Sequence, residues 1–273
     1  MVANDTSSVA TAAMKDETTS AFGKKRKHNS SSVGLSISLS DISYGPIVIL
    51  EDFKIELVPG TITCLLGPSG VGKTSILKSV AGIMPLSDES EIHASDGAPL
   101  AGRISYMDQK DLLLPWASAL ENLLISARLR GEQADKARAR ELLMAVGLKG
   151  KENDLPGTLS GGMKQRVSLA RALMDDAPFV LVDEPFSALD AITRHRLQAL
   201  LADMCADRTT LMITHDPMEA LRLGHHVYVL AGDPVKLTSI DQIDGQIPRH
   251  PTLSSLKEKY HQILELLGMG AAP

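Results

Sequence analysis

The segment Gly67-Pro68-Ser69-Gly70-Val71-Gly72-Lys73-Thr74 constrains this chain more than any other. It follows a nearly continuous apolar run, Thr61 to Leu66, and opens a stretch from Lys73 to Val80 that reads as a helix. An unbroken apolar run is how a strand buried on both faces of a parallel sheet reads. Strand, glycine-rich loop and helix in that order let successive backbone N–H groups face one anion. The helix N-terminus adds partial positive charge there. The pattern G-x-x-x-x-G-K-[ST] in this context is a phosphate loop. Lys73 is expected to reach the β- and γ-phosphates of a nucleotide, and the Thr74 hydroxyl to ligate Mg²⁺.

The rest of the chain supplies a frame for such a loop. Leu35, Ile37 and Leu39 alternate with Ser36, Ser38 and Ser40, the period of a half-buried strand. Ile47 to Leu50 is a second apolar stretch, and Phe53, Ile55 and Leu57 alternate toward the Pro59-Gly60 turn. Together these predict a small antiparallel β region. Phe179 to Val182 and Thr210 to Ile213 read as buried strands, with a helix over Arg194 to Met204 between them. The alternation predicts an α/β fold, a P-loop NTPase core on a parallel sheet. Ser118 to Leu129, Ala134 to Val146 and Met163 to Leu173 are helical patterns, and no strand interrupts the first two. They predict a helical subdomain inserted at about residues 115–174. Beyond Asp233 a strand or turn region leads to a C-terminal helix at about 252–268, with Leu256, Tyr260, Ile263, Leu264 and Leu267 at helical spacing.

Two carboxylates, Asp183 and Glu184, end the strand Phe179 to Val182. That places them at the carboxyl edge of a parallel sheet, where ligands bind. Asp183 suits a Mg²⁺ ligand, and Glu184 suits a base that polarises the water attacking a γ-phosphate. An acidic pair after a strand is usually solvated; the phosphate loop upstream favours the functional reading here. Leu159-Ser160-Gly161-Gly162-Met163-Lys164-Gln165-Arg166 places an N-cap serine and two glycines at a helix start, shortly before that strand.

Leu159-Ser160-Gly161-Gly162 with Gln165-Arg166 resembles the signature of ABC-transporter ATPases. The resemblance covers roughly residues 34–233, and it makes residues 33–273 one ABC ATPase domain binding ATP and Mg²⁺. It implies further roles. Tyr44 resembles the aromatic residue that stacks on adenine. Gln109, after the strand Arg103 to Met107, resembles the glutamine whose amide ligates Mg²⁺, although Asp108 is an unusual neighbour. Ser187-Ala188-Leu189-Asp190 resembles the loop that touches an opposing subunit, and His215 the histidine that contacts the γ-phosphate. In the family two subunits sandwich two ATP molecules, so Ser160, Gly161, Gly162 and Asp190 would serve the partner's ATP, in a homodimer. The dimer would drive transmembrane permease subunits from the cytoplasmic face of the inner membrane, with a solute-binding protein in an importer. Leu112-Leu113-Leu114-Pro115-Trp116 is either a buried apolar loop or a docking groove for a short helix of the membrane subunit. With Asp183-Glu184-Pro185-Phe186, it resembles the importer group for nitrate, sulfonates, taurine and thiamine precursors. The alternatives are a soluble ABC ATPase, which usually carries a long coiled-coil insertion or two fused motors, and the motor of an exporter. A phosphotransferase on the same loop has no need of Ser160 to Gln165.

Composition narrows the field further. The net charge is −5, which gives no basic excess for nucleic acid. No apolar run approaches the roughly 20 residues that span a bilayer. Cys64 and Cys205 form no disulfide framework and fit a reducing compartment. Residues 1–32 are rich in Ser, Thr, Ala and Lys and read as a disordered extension, with Lys24 to Lys27 a solvated basic cluster. The pair His225-His226 reads as structural or surface, and no Cys/His spacing suggests zinc.

Overall fold

The computed structural model describes residues 32–44 and 47–268; the side chains of Tyr44 and Ile47 lie outside that description. The expected disordered extension, with its basic cluster, falls outside the described residues except for Ser32. That residue is tied down, its Oγ donating to Asp207 O at 3.1 Å.

Two sheets carry the fold. The first has β1 (Leu35–Tyr44) paired antiparallel with β2 (Ile47–Leu57) on one side and with β4 (Glu91–Ala94) on the other. The two apolar stretches expected separately at Ile47 and Phe53 are one strand, joined through Asp52 at φ 49°. The second sheet has six strands in the order β5 (Ile104–Met107), β6 (Phe179–Asp183), β7 (Thr209–Ile213), β3 (Ile62–Leu66), β8 (His226–Ala231) and β9 (Lys236–Ile240). All pairings are parallel except that of β8 with β9. Strands β3, β6 and β7 are buried along their whole length, which is why they read as continuous apolar runs rather than alternating ones.

Helix α1 (Lys73–Val80) lies between the sheets. Ile76, Leu77 and Val80 pack with Leu35, Ile37 and Phe53 of the small sheet and with Leu65, Leu181 and Leu211 of the large one. Between Met107 and Phe179 the described residues contain no strand. Helices α2 (Ala119–Leu129), α3 (Lys136–Ala145) and α4 (Gly161–Met174) pack on one another there, and α4 also packs on β5. Their starts obey local chemistry: Ser118 and Glu121 form a reciprocal capping box, and Asp135 and Ser160 cap α3 and α4. Helix α5 (Ala191–Met204) is capped by Asp190, and α7 (Ser254–Leu266) closes the described chain.

Three elements have no counterpart in the sequence patterns above: β4, β8 and α6 (Pro217–Leu223). Strand β4 is mostly exposed and short, and β8 begins at the histidine pair. The α6 start did carry a signal, since Asp216 caps the helix and Pro217 sits at its first position.

Candidate nucleotide site

Sheet register brings the motifs to one edge. Leu65 of β3 lies level with Ile213 of β7, and Ile213 with Asp183 of β6. Past that line β3 runs into Gly67–Thr74, β6 into Glu184, and β7 into Thr214 and His215. The strand order β6-β7-β3 makes these three exits neighbours, at the carboxyl edge where open parallel sheets bind ligands.

The phosphate loop is built as its sequence demands. Gly70 and Gly72 have φ of 84° and 99°, a left-handed backbone that side chains disfavour, and Gly72 hands the chain to α1. Lys73 folds back over the loop, its Nζ donating to Gly67 O and Pro68 O, both at 2.8 Å. Burial lowers the Lys73 pKa, while Glu184 and Asp183 oppose the shift. Thr74 Oγ1 donates to Asp183 Oδ2 at 2.6 Å. Asp183 is 1% exposed, and burial raises its pKa against the lowering effect of the Thr74 bond. A buried carboxylate beside a hydroxyl is an oxygen donor pair suited to Mg²⁺. The described residues contain no cluster of three or more His, Cys, Asp or Glu that could hold a metal.

Glu184 stands at the centre. Its Oε2 is 3.3 Å from Gln109 Nε2, and its Oε1 is 3.1 Å from His215 Nδ1. The structure therefore brings together Glu184, Gln109 and His215 from three separate strand ends. Glu184 has φ 46°, a strained value for a side-chain-bearing residue. Two backbone bonds hold it: Glu184 N donates to Ile213 O at 2.9 Å, and Gln165 Nε2 donates to Glu184 O at 3.0 Å. The unusual Asp108 has an internal role. It accepts from Tyr106 OH at 2.8 Å and Lys110 N at 3.0 Å, and lies 3.5 Å from Lys78 Nζ. Tyr44 ends β1, and its side chain lies outside the description.

Ser160 caps α4, its Oγ accepting from Met163 N at 3.3 Å. The two glycines after it differ. A Cβ on Gly162 would meet Ala188 O at 3.0 Å, so close packing against the Ser187–Asp190 turn accounts for that glycine. A Cβ on Gly161 would meet nothing within 4 Å among the described residues, so internal packing does not account for that one. No hydrogen bond among the described residues links Ser160, Gly161 or Gly162 to residues 67–74. Gln165 instead ties α4 to the Ser187–Asp190 turn, donating to Ser187 Oγ and accepting from Ala188 N, both at 3.0 Å. Asp190 caps α5 by accepting from Thr193 N at 3.0 Å. Between Gln109, Leu112, Gly161, Gln165 and Ala188 lies a cleft of about 510 Å³.

The loop after Gln109 is not a buried apolar loop throughout. Leu113 is buried, but Leu112 is 55% and Trp116 74% exposed. Two residues that the sequence patterns did not single out hold it in place. Arg171 of α4 donates to Leu112 O at 2.8 Å and Asp111 O at 2.9 Å. Asn122 of α2 is fully buried, accepts from Leu114 N at 2.8 Å, and donates to Ala117 O at 2.9 Å and Ser118 O at 3.0 Å.

A phosphate loop on a buried strand, a Thr–Asp pair beneath it and an acid held by an amide and an imidazole define a P-loop nucleotide-binding protein. Comparison with known proteins agrees and goes further. The ABC transporter family profile matches residues 50–187. An aliphatic sulfonates import ATP-binding protein of Rhodococcus jostii is 42% identical over 224 residues, covering 80% of this chain and 86% of the relative. An uncharacterized ABC transporter ATP-binding protein of Haemophilus influenzae is 36% identical, covering 85% of this chain and 98% of the relative. A solved dimeric ATP-binding cassette in a post-hydrolysis state, bound to ADP and Pi, is 26% identical with a TM-score of 0.66, over 78% of this chain and all of that one. The chain belongs to the ABC transporter family, as an ATP-binding subunit.

Proposed function

We propose that this chain is the motor of an importer: it hydrolyses ATP with Mg²⁺ as a dimer and drives permease subunits. The observation that carries the reading is the Glu184 carboxylate, held between Gln109 and His215 beside the Thr74–Asp183 pair. Residues 67–72 bind the phosphates through backbone N–H groups, and Lys73 leaves the carbonyls of Gly67 and Pro68 to pair with the β- and γ-phosphates. Thr74, Asp183 and Gln109 would hold Mg²⁺, which supplies charge neutralisation on the phosphate oxygens when bound. Glu184 accepts a hydrogen bond from the attacking water and takes its proton at a carboxylate oxygen. His215 turns from Glu184 toward the γ-phosphate, and Tyr44 stacks on the adenine.

Ser160, Gly161 and Gly162 complete the cage around the ATP of the facing subunit, with Asp190 at the same contact. Exclusion of water strengthens every charge in that cage. The open Gly161 and the dimeric solved cassette support this reading. Helices α2 to α4 form the helical subdomain, and the Leu112–Trp116 loop beside Gln109 docks a short helix of the permease. The importer names of the relatives support a sulfonate-like anionic solute. A solute-binding protein would deliver it, and the subunit would work on the cytoplasmic face of the inner membrane. No helix among the described residues is long and apolar enough to cross a membrane.

Glu184→Gln tests the reading. ATP binding should persist, turnover should fall by about 10²-fold or more, and a stable ATP-dependent dimer should accumulate in size-exclusion chromatography. Turnover at the unsubstituted rate would overturn the role of Glu184.

A further inference from the structure

Arg194 lies one turn into α5 and touches two loops of the site at once. Its Nη2 donates to Leu189 O at 2.9 Å, inside the Ser187–Asp190 turn. Its Nε is 3.6 Å from Glu219 Oε1, and its Nη1 is 3.9 Å from Asp216 Oδ2. Those carboxylates brace the loop that carries His215. Glu219 accepts from Thr214 Oγ1 at 2.7 Å, and that hydroxyl accepts from Asp216 N at 3.0 Å. His215 sits between Thr214 and Asp216, with Nδ1 3.1 Å from Glu184.

The pairing is close to a bond without being one. The Glu219 side chain is 7% exposed; burial raises its pKa, opposed by the Thr214 bond and by Arg194. Arg194 Nε is buried and has no hydrogen-bond partner among the described residues. At 3.6 Å it is a few tenths of an ångström too far from Glu219 for one. A relative shift of a few tenths of an ångström between the start of α5 and Glu219 would close that gap.

We propose that Arg194 is a positioning residue that couples the Ser187–Asp190 turn to His215, so that contact with a facing subunit sets the histidine for hydrolysis. This rests on the ATP-hydrolysing reading above. A plain structural role, bonding Leu189 O and nothing more, would leave His215 unaffected.

The test uses the full chain with Arg194→Ala, Arg194→Lys, and Arg194→Ala combined with Glu219→Gln; the last leaves no buried carboxylate without its cation. In both Arg194→Ala proteins kcat should fall about tenfold while ATP affinity stays within about twofold, because Arg194 makes no bond to residues 67–74. Arg194→Lys, which keeps a cation opposite Asp216 and Glu219, should recover most of the rate. In single-turnover assays on His215→Ala, adding Arg194→Ala should cost less than about twofold, because the two residues act through one step. A further tenfold loss there, an unchanged kcat, or an equal fall in ATP affinity overturns the proposal. Glu184→Gln run alongside separates the two levels. Turnover retained in that variant overturns the catalytic role given to Glu184, on which the reading above rests, whereas its loss with additive Arg194 and His215 effects overturns only the coupling.

Discussion

Asp183 shows what the proposed Mg²⁺ site costs the fold that would hold it. Burial keeps its carboxyl above the ordinary value of 3.8. The folded chain therefore binds that proton more tightly than the unfolded chain. Stability from this group falls as pH rises through 3.8 to the folded value, and the loss is complete above it. Asp183→Asn removes the penalty while keeping an acceptor for Thr74 Oγ1. The nucleotide-free variant should be more stable than the unsubstituted chain at pH 7, seen as a higher Tm. The gain should shrink toward pH 4, and the Mg²⁺-dependent rise in Tm on adding ATP should vanish. Calorimetry at two pH values checks all three. Residues of this kind were legible in the sequence because they belong to contiguous motifs: Gly67–Thr74, Asp183–Glu184 and Ser160–Gly162. Arg171, Asn122 and Arg194 were not. A polar residue inside a helix has no local signature when its partners are backbone groups on another segment.

Among the elements, the stretch from Asp111 to Ser118 is irregular yet held by several side-chain bonds. It has no ladder of its own, and its exposed Leu112 has φ 43°. Order comes from two side chains on neighbouring helices, Arg171 on α4 and Asn122 on α2. Asn122→Ala leaves Leu114 N and the carbonyl of Ala117 without their buried partner. Such a loss costs about 2 kcal/mol, a fall of roughly 4–8 °C in Tm. It should also raise amide exchange in residues 112–118 while leaving residues 67–74 protected as before, which hydrogen-exchange mass spectrometry reads directly. Elements with strong periodicity or caps were readable in advance, as α2, α4 and β3 show. Strands β4 and β8 were not, because their burial comes from neighbours far along the chain. Leu35 pairs with Ala94, and Cys64 with Val227, and no local pattern records such pairings.

At the scale of the molecule, the exposed Trp116 and the half-buried Glu184 stand at opposite ends of one run of contacts. Gln109 touches Glu184, Arg171 bonds the backbone of Asp111 and Leu112, and Asn122 fixes Leu114 to Ser118. Helix α4, which carries Arg171, is capped by Ser160 and is tied through Gln165 to the carbonyl of Glu184. A push on the Trp116 loop therefore has a bonded route to the site, and a change at the site has the same route outward. Linkage makes such coupling reciprocal for binding. Trp116 makes no bond within the site, so the chemistry should not need it. Trp116→Ala should leave ATP turnover of the isolated subunit within about twofold, with Tm little changed because the ring is already in solvent. In the complex with its permease, the same variant should lose co-purification or the stimulation of turnover, since a large exposed aromatic is the kind of residue that anchors an interface. Full stimulation and full co-purification in Trp116→Ala would remove this loop from the docking surface and leave the contacts around Glu184 as a purely internal brace.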